Sequence, residues 1–202
     1  MDNKKTGNYY YVERHDSDRD CSNRKEKEYG YDSGKKQKDK IFLECGHNPQ
    51  DAIFEIDDGE VECDQKFVLD SVIVDTSRLC KPIVKIEFSS LVQFEAEDES
   101  GDEHEVEVNL LFELERICGG DKQIVQSWKL LKEYDVEGGC IDELEVELSE
   151  PFTVTFCDRA CPGCCEYRMT VRGKDFEGDF EHLRVVKPSL SAIAQGLTCD
   201  CD

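Results

Sequence analysis

An antiparallel β-sandwich of jelly-roll type is the fold class this 202-residue chain predicts. Three observations carry it. Long stretches alternate apolar and polar residues with a period of two. Pairs of glycine, or of proline and glycine, punctuate those stretches at Gly119-Gly120, Gly138-Gly139 and Pro162-Gly163. Eight to ten such strands fit between residues 41 and 196 with short turns between them, the layout of a two-sheet sandwich.

Residues 1–40 contain no Leu, Ile, Phe or Trp. They cannot bury enough apolar surface to offset the entropy of ordering, so they read as a disordered or extended N-terminal connector. Five tyrosines (Tyr9, Tyr10, Tyr11, Tyr29, Tyr31) and Cys21 lie in it; it reads first as a solvated tail and, more sharply, as a tether that orders against a neighbour. The run IFLEC at 41–45 reads as an edge strand, open to pairing with another chain. DAIFEI (51–56) and KFVLDSVIVD (66–75) follow as strands.

The next strand spans 83–96, with Val84, Ile86, Phe88, Val92, Phe94 and Ala96 facing in and Lys85, Glu87, Gln93 and Glu95 facing out. EDESGDE (97–103) reads as a hairpin loop with Ser100-Gly101 at its tip. The clearest strand is 104–116: Val106, Val108, Leu110, Phe112 and Leu114 share the buried face, and Glu105, Glu107, Asn109, Glu113 and Glu115 the solvated one. Residues 122–134 have a helical alternative, but Ile124, Val125 and Trp128 favour a strand. Strands at 142–148, 151–157, 165–172 and 182–187 complete the sandwich, while 189–196 fits no single element. The domain limits are therefore 1–40 for the connector, 41–196 for the sandwich and 197–202 for a short cysteine-bearing tail.

The net charge is -22 and is unevenly spread: residues 1–40 are near neutral and the rest carries almost all the acid. Such a body has no basic stripe to displace the counterions of nucleic acid or to meet anionic lipid, so neither partner is expected. No stretch has the apolar length of a membrane span. The opening residues lack the apolar core of a signal peptide.

Twelve cysteines accompany only four histidines. Cys21 lies in the connector; Cys45, Cys63, Cys80, Cys118 and Cys140 are scattered; Cys157, Cys161, Cys164, Cys165, Cys199 and Cys201 crowd the last third. Within CDRACPGCC (157–165) the sulfurs are candidates for intradomain disulfides or, alternatively, for zinc held by Cys157, Cys161 and Cys164 with Cys45, His47 or another cysteine. Adjacent Cys164 and Cys165 point to opposite faces of an extended chain, which disfavours a shared metal. Cys161-Pro-Gly-Cys164 has the spacing of thiol oxidoreductases, but its flanks read as strands rather than a helix N-terminus.

Cys21, Cys45, Cys199 and Cys201 are the candidates for disulfides between subunits, because neither tail has a core of its own to stabilise. Asp98, Ser100 and Asp102 alternate as in some calcium loops, without the glycine placement of an EF-hand. His15, His47, His104 and His182 stand apart from any nucleophile pattern, and Glu143, Glu145 and Glu147 read as the outer face of a strand. No catalytic residue, metal or cofactor is expected.

Four segments carry a resemblance: LECG (43–46), KPIVKIEFSSLVQFEA (81–96), SWKLLKEYDVEGG (127–139) and PFTVTFCDRACPGCCEYRM (151–169). Together they are similar to an uncharacterised family of small, acidic, cysteine-rich proteins of spore-forming clostridia, over nearly all of 41–196. The plan of the chain, without a shared motif, also resembles the jelly-roll subunits of endospore appendages. Those have a flexible N-terminal connector, join by sheet augmentation and intersubunit disulfides, and lack signal peptides. The resemblance implies a non-enzymatic subunit that assembles with itself into a filament or layer. Its place would be extracellular or on the spore surface, reached without a signal peptide.

Overall fold

The structure is a computed structural model describing residues 7–13, 39–98, 103–137 and 144–198. Among them there are twelve strands: β1 (Gly7–Glu13), β2 (Asp39–Cys45), β3 (Ala52–Ile53), β4 (Ile56–Asp57), β5 (Glu60–Val61), β6 (Lys66–Asp75), β7 (Leu79–Asp98), β8 (Glu103–Cys118), β9 (Asp121–Glu137), β10 (Leu144–Asp158), β11 (Cys164–Glu177) and β12 (Asp179–Thr198).

Two antiparallel sheets face each other. One has the order β1-β9-β8-β11-β6, the other β10-β7-β12-β2 with β3 also paired to β12. Without β1, each sheet has four long strands, and the chain crosses between the sheets at almost every step. This is the doubled Greek key of a jelly roll, as the alternation predicts. The predicted inward faces are the real ones. Val106, Val108, Leu110, Phe112 and Leu114 on β8 are fully buried against Val84, Ile86, Phe88, Val92, Phe94 and Ala96 on β7. Phe112 and Phe152 stack at 3.9 Å between ring centroids, joining the two sheets.

Several expectations need correction. DAIFEI is not one strand: β3 pairs with β12, and β4 and β5 form a separate hairpin. Its tip is Asp58-Gly59, both at positive φ (52° and 83°), the geometry that Asp-Gly supplies for a two-residue turn. Residues 97–103 do not form a hairpin loop, because β7 and β8 lie in different sheets; the Ser100-Gly101 tip lies outside the described residues. The strands predicted at 142–148 and 151–157 are a single one, β10. Pro151 does not break it, because β10 is an edge strand paired only with β7, and an edge has no ladder bond on one side to lose. β12 runs through the predicted strand at 182–187 and the unassigned 189–196, bending at Lys187 (φ 54°), where its register against β7 shifts. The connector, expected to be disordered or extended, has an extended segment at residues 7–13, which form β1.

The sandwich has two distinct poles. At one lie the starts of β2, β7 and β9 and the ends of β6, β8, β10 and β12, with most of the described cysteines. At the other, carboxylates stand opposite each other across strands: Glu107 against Glu133 and Glu177, Glu105 against Asp135, and Asp179 against Glu97.

Candidate assembly edges and cysteines

Two segments read as assembly elements, part of the connector and the run IFLEC, form strands at sheet edges. β1, the NYYYV segment of the connector, lies along β9 in seven consecutive antiparallel pairs, from Gly7 opposite Glu133 to Glu13 opposite Ser127. Tyrosine and valine favour an extended chain, and β9 offers a 17-residue edge. The connector thereby supplies a fifth strand to a four-stranded sheet. β2 closes the other sheet. Its inner side pairs with β12 in unbroken register from Cys45 opposite Ser191 to Asp39 opposite Leu197. Its other side meets no described strand.

The cysteine-rich segment is divided by strand parity. Cys165 faces the core and stands opposite Cys118 on β8, to which it is disulfide-bonded with 4.4 Å between Cα atoms. Cys164, one residue earlier, is exposed and free, the opposite-face arrangement expected of neighbours in an extended chain. Cys157, opposite Lys85 at the end of β10, is exposed and free as well. Cys80 and Cys161 are each disulfide-bonded. Cys63, in the segment between β5 and β6, is a fourth exposed free thiol alongside Cys45; it carries no sequence signal beyond its being a cysteine.

The metal candidates Cys157, Cys161 and Cys164 are thus not brought together as three thiolates, since Cys161 is oxidised. Among the described residues no group of three or more His, Cys, Asp or Glu forms a metal-holding cluster. Cys161 and Cys164 are not bonded to each other, and β11 follows them rather than a helix. Cys21, Cys199 and Cys201 lie outside the described residues, as do Cys140, Glu143, His15, Ser100 and Asp102.

Local bonds hold this pole together. The Thr76 amide donates to the Gly163 carbonyl (2.8 Å), and the Gly163 amide donates to Thr76 Oγ1 (3.2 Å), clamping the Pro162-Gly163 turn to the end of β6. Asp158, at the end of β10, accepts from Arg116 Nη1 (2.6 Å) and from the Tyr167 hydroxyl (2.8 Å), so one carboxylate joins the two sheets. Burial, and then the Asp158 charge, push the Tyr167 hydroxyl far above its ordinary range. On the outer face, Glu115 is only 1% exposed, against the solvated position its parity predicts. Lys66 reaches it across β11 at 3.0 Å and Lys122 meets it at 2.8 Å. Burial alone would raise the Glu115 carboxyl, but the hydrogen bonds from Lys122 and Lys66 outweigh it and hold the group below its ordinary value.

At the acidic pole the balance reverses. Burial, then the charges of Asp175 and Glu133, raise Glu107; burial and Glu177 raise Glu105. The remaining histidines hold structural positions. His104 is buried 3.9 Å from Asp98, and His182 lies 3.7 Å from Glu95. His47 Nε2 is 3.4 Å from Ser71 Oγ.

No helix is long and apolar enough to cross a membrane among the described residues. No curated protein matches the chain. A family model matches residues 40–195, which takes in the sandwich from β2 almost to the end of β12. The chain belongs to this family, described as a domain of unknown function (DUF4489).

Proposed function

We propose that the protein is a structural, non-catalytic subunit that assembles with copies of itself into a filament or layer outside the cell or on a spore surface. The resemblance to acidic, cysteine-rich clostridial proteins and, in plan, to endospore appendage subunits supports it. The observation that carries it is the position of β1. This strand is separated from β2 by 25 residues (14–38), a length that extends to at most about 90 Å. It adds to an edge that the same segment of another copy fits equally well. Exchanging the strand between copies keeps the same seven backbone pairings, so the exchange itself costs little. Cys21 in the connector, Cys45 at the end of β2, and Cys199 and Cys201 beyond β12 would then lock neighbours covalently. Each bond would contribute about 2–4 kcal/mol by restricting the separated chains. Disulfides within the sandwich fit an oxidising destination.

Electron microscopy and non-reducing electrophoresis of the native protein test this. Fibres or sheets, with a ladder of masses that collapses on reduction, are expected. Replacing Tyr10 and Tyr11 together with proline removes two successive N–H groups, one of which must face β9; this variant should lose the assemblies. Wild-type protein that stays monomeric in both lanes and forms no ordered particles would sink the proposal.

A further inference from the structure

Besides β1, three strands end the two large sheets and are bare on one side among the described residues: β2, β6 and β10. Natural edges are protected by proline, charge or bulges. β10 has Pro151 with Glu145 and Glu147, and β6 has Lys66 and a bulge in its pairing with β11 between Met169 and Thr170. β2 has neither at its centre. Its ladder is regular and its middle residues are Ile41, Phe42 and Leu43. Phe42 packs on the core, while Ile41 and Leu43 are 66% and 65% exposed on the outer face.

The surface beside this edge is apolar too. Leu43 stands next to Ile193, and Ile41 lies in the row of Gln195 and Ile83. Ile83 and Leu197 are 50% and 42% exposed. The charges bordering these cross-strand neighbours are few: Lys85, opposite Ile193 and paired with Glu87 at 2.6 Å, and Asp39, opposite Leu197. In a chain of net charge -22, two copies repel wherever carboxylates face each other, so an apolar patch whose centre, Ile41, Leu43, Ile83 and Ile193, carries no carboxylate is the surface on which they can meet.

We infer that β2 is a second self-association edge, pairing antiparallel with β2 of another copy about a two-fold axis to make one continuous eight-stranded sheet. The antiparallel arrangement merges the two apolar patches and sends the two acidic poles in opposite directions. This contact is isologous, uses a different edge from β1 and β9, and does not depend on strand exchange by the connector.

Sedimentation velocity on the full chain carrying Tyr10→Pro and Tyr11→Pro separates the two contacts. In that background the mass should double with rising concentration, and adding Leu43→Lys or Ile41→Lys should return it to the monomer value. Both lysines replace exposed side chains, so circular dichroism should be unchanged. In the unaltered chain, amide exchange at residues 41–43 should slow as concentration rises. A mass that ignores Leu43→Lys, or exchange at 41–43 that ignores concentration, overturns the inference. A monomer at every concentration also overturns it and leaves the face to a partner of other chemistry. If the proline pair changes nothing while Leu43→Lys still lowers the mass, the connector reading fails and this one stands.

Discussion

The two poles of the sandwich solve the same problem differently. Both present charged side chains on the outer face of the β9-β8-β11-β6 sheet. At the cysteine pole each buried carboxylate has cations or donors: Glu115 has Lys66 and Lys122, Asp158 has Arg116 and Tyr167, and Cys118–Cys165 ties β8 to β11 beside them. At the acidic pole Glu105, Glu107, Glu133, Asp135 and Glu177 face one another across strands. Like charges directly opposite oppose strand pairing. One pole is therefore braced and the other held against its own repulsion, and the local stability of a strand depends on which end is considered.

This contrast can be broken from either side. The largest effect should come from replacing Cys118 and Cys165 with serine. The bond spans 47 residues of sequence, and its loss should cost about 3 kcal/mol in denaturant unfolding. Glu115→Ala should follow, at about 2 kcal/mol: it removes two charge-assisted hydrogen bonds to a buried carboxylate, while Lys66 keeps Glu113 at 2.9 Å and Lys122 keeps its access to water. At the other pole the sign reverses, and Glu107→Gln should stabilise by about 0.5 kcal/mol.

Titration supplies the smallest and most specific contrast. Glu105 and Glu107 are raised above their ordinary 4.5, so the folded chain binds their protons more tightly than the unfolded one. Stability should rise as pH falls through their folded values toward 4.5. Glu115 is lowered from the same 4.5; its contribution is present above that value and fades as pH drops through its folded value. Chemical denaturation between pH 7 and pH 3 should thus show a gain followed by a loss, and Glu107→Gln should flatten the gain.

The sandwich was legible where a strand declares both faces, as in 104–116, where five apolar residues alternate with polar ones. Legibility failed where tertiary position decides. Pro151 signals a break unless β10 is known to be an edge, and Asp58-Gly59 joins strands of two residues each, too short to show a period. The partner of Cys165 depends on β11 lying beside β8, strands that are not neighbours in sequence. The burial of Glu115 needs Lys66 to reach over from two strands away. At the candidate contacts, the edge character of IFLEC was readable from its place, a short apolar run just after the connector. β1 was not, because a polar connector gains a strand's geometry only from the edge it lies on.

The pairing of β2 with β12 has a mechanical consequence. Asp39, where the connector enters the sandwich, stands opposite Leu197, just before the C-terminal tail leaves it. Tension applied through those two tails pulls adjacent strand ends apart from the same side. It opens the ladder one hydrogen bond at a time, as a zipper, rather than loading all of it at once in shear. A fibre that carried load from tail to tail would yield at this seam first. A fibre that carried it through strand edges would spread the same load over whole ladders.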